Sequence, residues 1–432
     1  MSQKKNRPKR EPASEVVKRI PKITAGHLLP IAILALVSLV VYFNSLTNGF
    51  VYDDYATIIE NKHIQHPGKS LPSLFSRSYF NIASGEASYR PVATLSYYLI
   101  YAIGELNATY YHLFSVLLHA LNVILVYLLA NKIIKNRYTA LIAGLLFACH
   151  PALTEAVDAI SYNEDLLTAF FFFLALIIYA DITSADVKPR IKAYILSLFS
   201  FLLALLSKEM AITLPAVIFL YDLVMRDADG RSFSLKALLR TIKDRIYFYA
   251  GYLAVGLFYL YLRFGVFYHP GESIKPVYGS LIERIIYLPA HIYSFIKLAV
   301  FPANLNADYV FAYPGGLFEM NNLIGLAAVS GLVGAGFVIY KKSKAHPAAV
   351  SPTGASAALI RNWGAWMRPS KNTKEPSPSI RMTTRPITTL VLFMISRASL
   401  TQPSKAISDP FRQTRPIPML TLTSASSIRS RG

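Results

Sequence analysis

Two adjacent carboxylates, Asp53 and Asp54, stand in the stretch NGFVYDDYATIIENKHI, just past a long apolar run. Side-by-side like charges repel and hold water tightly, so placing them beside a bilayer is costly. A carboxylate partly desolvated there has a raised pKa and can act as a general base. The plainer alternative is a turn or a helix cap before YATIIEN. Other ionisable groups gather in three short motifs. HPALTEAVDAISYNED (150–165) carries His150, Glu155, Asp158, Glu164 and Asp165. SKEMAITLP (207–215) sets Lys208 and Glu209 between two apolar runs, and SYRP (88–91) puts Arg90 at the start of a helix. Charged groups at membrane level default to function. Against that, Glu155 and Asp158 read equally as solvated helix-end residues, and Lys208 with Glu209 as a structural ion pair. His112, His119 and His150 match no ligand spacing, so no protein metal site is predicted. There is no phosphate-cradling glycine loop, zinc spacing or nucleophile elbow. Asn107-Ala108-Thr109 fits a glycosylation sequon.

The elements that must position these groups are membrane helices. The 432 residues are 53% hydrophobic and only 16% charged, which predicts an all-α polytopic membrane protein. The single cysteine, Cys149, excludes an internal disulfide framework. Spans are expected at 27–46, 110–131, 139–158, 166–182, 191–206, 211–226, 246–265 and 321–340. The net charge of +20 is concentrated at the ends: residues 1–22 hold eight Lys or Arg against Glu11 and Glu15, and residues 346–432 hold twelve against Glu375 and Asp409. That pattern speaks for cytoplasmic retention rather than nucleic-acid binding. With the basic tail 1–26 inside, the Lys132–Arg137, Lys188–Lys192 and Arg226–Arg245 clusters all fall inside too. Asp53 and Asp54 then face outside. Residues 281–301 are apolar but carry Glu283, Arg284, His291 and Lys297, which favours a helix on or re-entering the outer surface. Residues 91–103 look similar. Two large outer loops follow, at about 47–109 and 266–320.

The last segment, 346–432, is rich in Ser, Thr, Pro and Arg and reads as a disordered basic tail. Yet Pro369/Pro403, Ser370/Ser404, Lys371/Lys405 and Arg381/Arg415 repeat at an offset of 34, the tetratricopeptide period. Prolines break every helix such a repeat needs. The segment is therefore expected to be a tetratricopeptide array translated out of frame, replacing further spans and repeats.

Five stretches occur in order: FNSLTNGFVYDDYATIIENKHI, YRPVATLSYYLIYAI, YYHLFSVLLHALNVILVYLL, LLFACHPALTEAVDAISYNEDLL and LLALLSKEMAITLPAVIFLYDL. Together with LPAHIYSFIKLAVFPANLNADY they resemble the membrane half of the transmembrane and tetratricopeptide-repeat O-mannosyltransferase-like proteins, over about 27–340. The resemblance implies a GT-C glycosyltransferase bundle of about 8–9 transmembrane helices with outer-surface helices, occupying 27–345. It implies transfer of a sugar, mannose above others, from a polyprenyl-phosphate carrier to a hydroxyl acceptor such as protein Ser or Thr, on the non-cytoplasmic face. The partners implied are the lipid-linked sugar, the acceptor and the bilayer, with no nucleic acid. Asp53 is then expected as the base, and Asp54 to position the acceptor or, as in some relatives, bind a metal. A divalent cation is the only cofactor for which this leaves room. Arg90, Lys208 and His150 are expected on the carrier phosphate, with Glu155 and Glu209 orienting them or the sugar hydroxyls. The competing readings are a non-catalytic scaffold or truncated pseudoenzyme and, with less support, a transporter of a lipid-linked substrate. A transporter would show internal membrane repeats, and none is visible.

Overall fold

A computed structural model describes residues 25–76, 89–183, 191–226, 235–267, 281–303, 305–306 and 318–345. The basic tail 1–22, the loop clusters at Lys188–Arg190 and Arg231, and the whole of 346–432 lie outside the described residues.

Local chemistry starts and stops the helices. Asn107, the sequon asparagine, accepts the Thr109 amide at 3.1 Å and caps the longest helix. That helix ends at Lys135, whose left-handed backbone (φ 56°) turns the chain; Asn136 then caps the next helix by accepting from Tyr138 and Thr139. In chain order the helices are α1 (Ala25–Val41), the single turns α2 (Lys62–Gln65) and α3 (Pro67–Ser70), α4 (Pro91–Gly104), α5 (Ala108–Ile134), α6 (Arg137–Ala148) and α7 (Thr154–Asp158). They continue as α8 (Asn163–Ile182), α9 (Ile191–Ser207), α10 (Leu214–Arg226), α11 (Leu235–Leu260), α12 (Leu281–Val300) and α13 (Met320–Ala345). The described residues contain helices and no strands. Each of the eight expected spans contains a helix, but length separates them. Among the described residues three segments are long and apolar enough to cross a bilayer: Ala108–Ile134, Ile160–Ile182 and Leu238–Val266. A fourth is α6 with residues 151–158, if that bent pair is one span. A helix such as α9, with 17 residues, reaches only about 25 Å against a hydrocarbon core of about 30 Å.

The predicted span 139–158 is not straight. It bends by 51° between Ala148 and Pro151. Proline has no amide to donate and drives the residue before it out of helical geometry, and His150 is extended there (ψ 119°).

Helix α4 also differs from the expected surface helix. Pro91, Ala93, Thr94, Ser96, Tyr97, Tyr98 and Ile100 are buried as it packs among α5, α8 and α9. Its hydroxyls make this affordable: Ser96 donates to the Ala93 carbonyl at 2.6 Å and Tyr97 to the Ser161 carbonyl at 2.9 Å. The core around it is tyrosine-rich, with Tyr111, Tyr179, Tyr252 and Tyr259 almost fully buried. Small residues allow the closest helix crossings. A Cβ at Gly325 of α13 would lie 2.2 Å from the Pro289 carbonyl oxygen of α12, so this pair meets backbone to backbone.

Candidate functional site

The site is built where the N-terminal ends of α4 and α8 meet the turn between α9 and α10. Arg90 sits just before α4 because the following Pro91 excludes it from helical backbone and supplies the first helical residue. Glu164 and Asp165 occupy the first turn of α8, where the helix dipole favours acids. Ser207 ends α9, and Lys208 and Glu209 open the short 3-10 turn Glu209–Thr213.

These pieces interlock by charge. One Arg90 nitrogen, Nη1, reaches both Glu164 oxygens at 2.6 Å, while Nε and Nη2 donate to Glu209 at 3.1–3.2 Å. Lys208 Nζ lies 2.9 Å from Glu164 and 2.7 Å from Asp165. Arg263, from the wide turn Tyr261–Val266 that follows α11, meets Glu209 at 3.5 Å and the Tyr259 hydroxyl at 3.1 Å. Three cations and three carboxylates thus alternate in one network. Burial alone would lower the pKa of Arg90 and Lys208, but the facing carboxylates outweigh it and raise both. For Glu209, burial pushes the pKa up, and the Arg90 hydrogen bonds and charge, with help from Arg263, bring it below its usual value.

The acidic pair divides into two unlike residues. Asp54 is fully buried, and accepts the Val51 amide at 3.0 Å and the Ser161 amide at 2.7 Å. It makes no side-chain cap to the turn that follows; it fastens the first loop to the turn before α8. Asp53 is exposed. The residue before it, Tyr52, has φ 46°, a left-handed conformation rare for an aromatic residue. His112 of α5 lies fully buried beneath Asn48 and Gly49, beside Asp54.

Tyr162 joins the halves. Its ring centroid is 5.7 Å from Lys208 Nζ, and the negative charges of Glu155 and Asp53 act on its hydroxyl. His150 stands apart from the network: one ring nitrogen accepts from the Ala152 amide, and the other contacts the Ala299 carbonyl of α12 at 2.9 Å. Of the residues picked out by sequence, Arg90, Lys208 and Glu209 come together, Asp53 and Glu155 stand outside the ion-pair network near Tyr162, and His150 does not join. Among the described residues no group of three or more His, Cys, Asp or Glu side chains is arranged to hold a metal ion.

Tyr162 and Arg263 were not foreseen. Arg263 left a signal: it is a lone cation in the apolar run YLYLRFGVF. Glu164 and Asp165 stood in the quoted motif without a role, because their partners lie 74 and 43 residues away.

The fold and the site define a helical membrane protein with a charge-alternating polar cluster at one end of its bundle. Residues 90–262 match the family model of dolichyl-phosphate-mannose-protein mannosyltransferases. The chain is similar in sequence to proteins named protein O-mannosyl-transferases: it is 34% identical over 185 residues to TMTC3 of Mus musculus, covering 42% of this chain and 20% of that protein. It is 36% identical over 178 residues to Tmtc1 of Drosophila melanogaster (40% and 20%), and 34% over 215 residues to TMTC2 of Homo sapiens (48% and 25%). The chain therefore spans about a fifth to a quarter of the length of these curated relatives. No solved structure matches it.

Proposed function

We propose that this chain is a glycosyltransferase that moves a sugar, mannose by the names of its relatives, from a polyprenyl phosphate to a protein Ser or Thr hydroxyl. The reaction runs on the non-cytoplasmic face, with the tail 1–26 cytoplasmic. The transferase domain is 27–345, a GT-C bundle of about 8–9 spans in which the shorter helices cross or line the catalytic face.

In this reading Asp53 accepts the proton of the acceptor hydroxyl. The hydroxyl oxygen forms a bond to the sugar C1 from the face opposite the carrier. The C1–O bond breaks, and the electron pair leaves with the polyprenyl phosphate, stabilised by the site's cations. Because the leaving group is a phosphate, no general acid is required. Asp54 acts indirectly, by holding the loop that aims Asp53. Glu155 and Tyr162 orient the acceptor or the sugar hydroxyls, and Lys208, Arg90 and Glu209 form the floor. His150 fixes the bend beside this site.

The observation that carries the reading is the contrast within one dipeptide. A buried, doubly bonded Asp54 holds an exposed Asp53 in the same loop, and the charge of Asp53 acts on the nearby Tyr162 hydroxyl. Asp53→Asn is expected to lower transfer from a short-chain polyprenyl-phosphate mannose to a Ser/Thr peptide by about 10²–10⁴-fold at unchanged thermal stability. Retained transfer would remove Asp53 from the mechanism. A second reading, a non-catalytic scaffold, draws support from the neutralisation of Arg90 and Lys208 by carboxylates. Absence of transfer by the unaltered chain would favour it.

A further inference from the structure

We propose that Arg263, rather than Arg90 or Lys208, receives the phosphate of the lipid-linked donor; this rests on the transferase reading above and sharpens it.

The argument begins with how each cation is already occupied. Arg90 is clamped between two carboxylates, with contacts to Glu164 at 2.6 Å and to Glu209 at 3.1 Å. Lys208 is clamped between Glu164 and Asp165 at 2.9 and 2.7 Å. A phosphate could take either cation only by prising it away and leaving poorly solvated carboxylates unpaired, which is strongly unfavourable. Arg263 is different. Among the described residues its one ionic contact, to Glu209, is 3.5 Å long, well beyond the usual hydrogen-bond length. Both Glu209 oxygens are already bonded by Arg90, so Glu209 stays paired when Arg263 turns away. The second partner of Arg263, the Tyr259 hydroxyl, is neutral: it orients the guanidinium without cancelling its charge.

Position supports the assignment. The wide turn Tyr261–Val266 that carries Arg263 is of the rare type often found at functional sites. Phe267, at its end, stacks on Tyr89 with centroids 4.1 Å apart, which fixes the turn beside Arg90. The planar guanidinium offers paired donors that match phosphate oxygens. Leu257, Tyr261 and Phe264 are 57%, 64% and 59% exposed, and the Phe264 ring lies 6.0 Å from the Arg263 guanidinium, so exposed apolar surface borders the cation. A charged head beside an apolar track fits a lipid phosphate and not a free one.

Equilibrium binding by the full chain in detergent tests this, with farnesyl phosphate, farnesol and inorganic phosphate as probes. The unaltered chain is expected to bind farnesyl phosphate well above the other two. Arg263→Gln should weaken that binding about tenfold or more, with Arg263→Lys intermediate and the unliganded melting temperature unchanged in both. Arg90→Gln should instead lower the melting temperature. Farnesyl phosphate binding unchanged in both Arg263 variants would overturn the assignment alone. Failure of the unaltered chain to prefer farnesyl phosphate over farnesol would overturn the transferase reading beneath it.

Discussion

Helix α8 carries a polar cluster at each end, and the two clusters solve one problem differently. At its N-terminal end, Glu164 and Asp165 meet Arg90 and Lys208 in ion pairs that remain partly open to solvent. About 20 Å further along the helix, Tyr179 donates to Asp222 of α10, which is 1% exposed and also accepts the Tyr249 hydroxyl of α11 at 2.7 Å. Lys132 pairs with Asp181 close by, and Arg245 donates to the Thr183 carbonyl. The Asp222 cluster satisfies a carboxylate with hydroxyls that belong to the packed core, so its partners cannot be exchanged without opening three helices. The Arg90 cluster satisfies carboxylates with cations, one of them loosely. The same acid serves as mortar at one end and as an exchangeable contact at the other.

Experiments that break either cluster should separate those roles. The largest effect on stability is expected from Glu164→Gln, which takes one carboxylate from both Arg90 and Lys208. Each cation keeps a second partner, so the loss should be about 2–4 kcal/mol in denaturant or thermal unfolding, with weaker farnesyl phosphate binding as the site loosens. Asp222→Asn should cost about 1–2 kcal/mol, because the Tyr179 and Tyr249 hydroxyls exchange a charged acceptor for a neutral one while the shape is kept. Farnesyl phosphate affinity should not change; if it fell as far as for Glu164→Gln, the two clusters would not be independent. The smallest effect is the acid sensitivity of the site. The folded pKa of Glu209 is depressed, since the Arg90 contacts overcome its burial. Its contribution is therefore present above the unfolded carboxylate pKa of about 4.3 and is lost as pH falls through the lower, folded value. Unfolding measured from pH 6 down to 3 should show a shallower loss for Glu209→Gln than for the unaltered chain. An identical slope would mean that Glu209 is not held by Arg90 in solution.

Sequence revealed what local chemistry controls. Apolar runs announced the helices, Pro91 announced a start, and membrane-level charges marked Arg90, His150, Glu155, Lys208 and Glu209 as one group; the bend at Pro151 was not foreseen. It did not reveal partnerships across the chain. Asp53 and Asp54 are chemically equal in sequence; what separates them is the Ser161 amide, 107 residues away, which buries one and leaves the other exposed. Residues 91–103 read from sequence as a surface or half-inserted helix, yet α4 packs inside the bundle, where the Thr94, Ser96 and Tyr97 hydroxyls find carbonyls that sequence could not show. Arg263 was passed over because no other charge stands near it in sequence, although isolation in an apolar run is itself the mark of a costly group.

The alternation of charge in the Arg90 network has a consequence for encounter. Three positive and three negative groups within bonding distance cancel, and among the site's described residues the exposed Asp53 and Glu155 add only negative charge. Beyond a screening length of about 8 Å, such a surface sends no attractive signal to an anion. An anionic lipid would not be drawn in from afar. It would arrive by lateral diffusion within the membrane plane and be recognised only on contact, so added salt would not slow its capture as it slows electrostatically steered pairs.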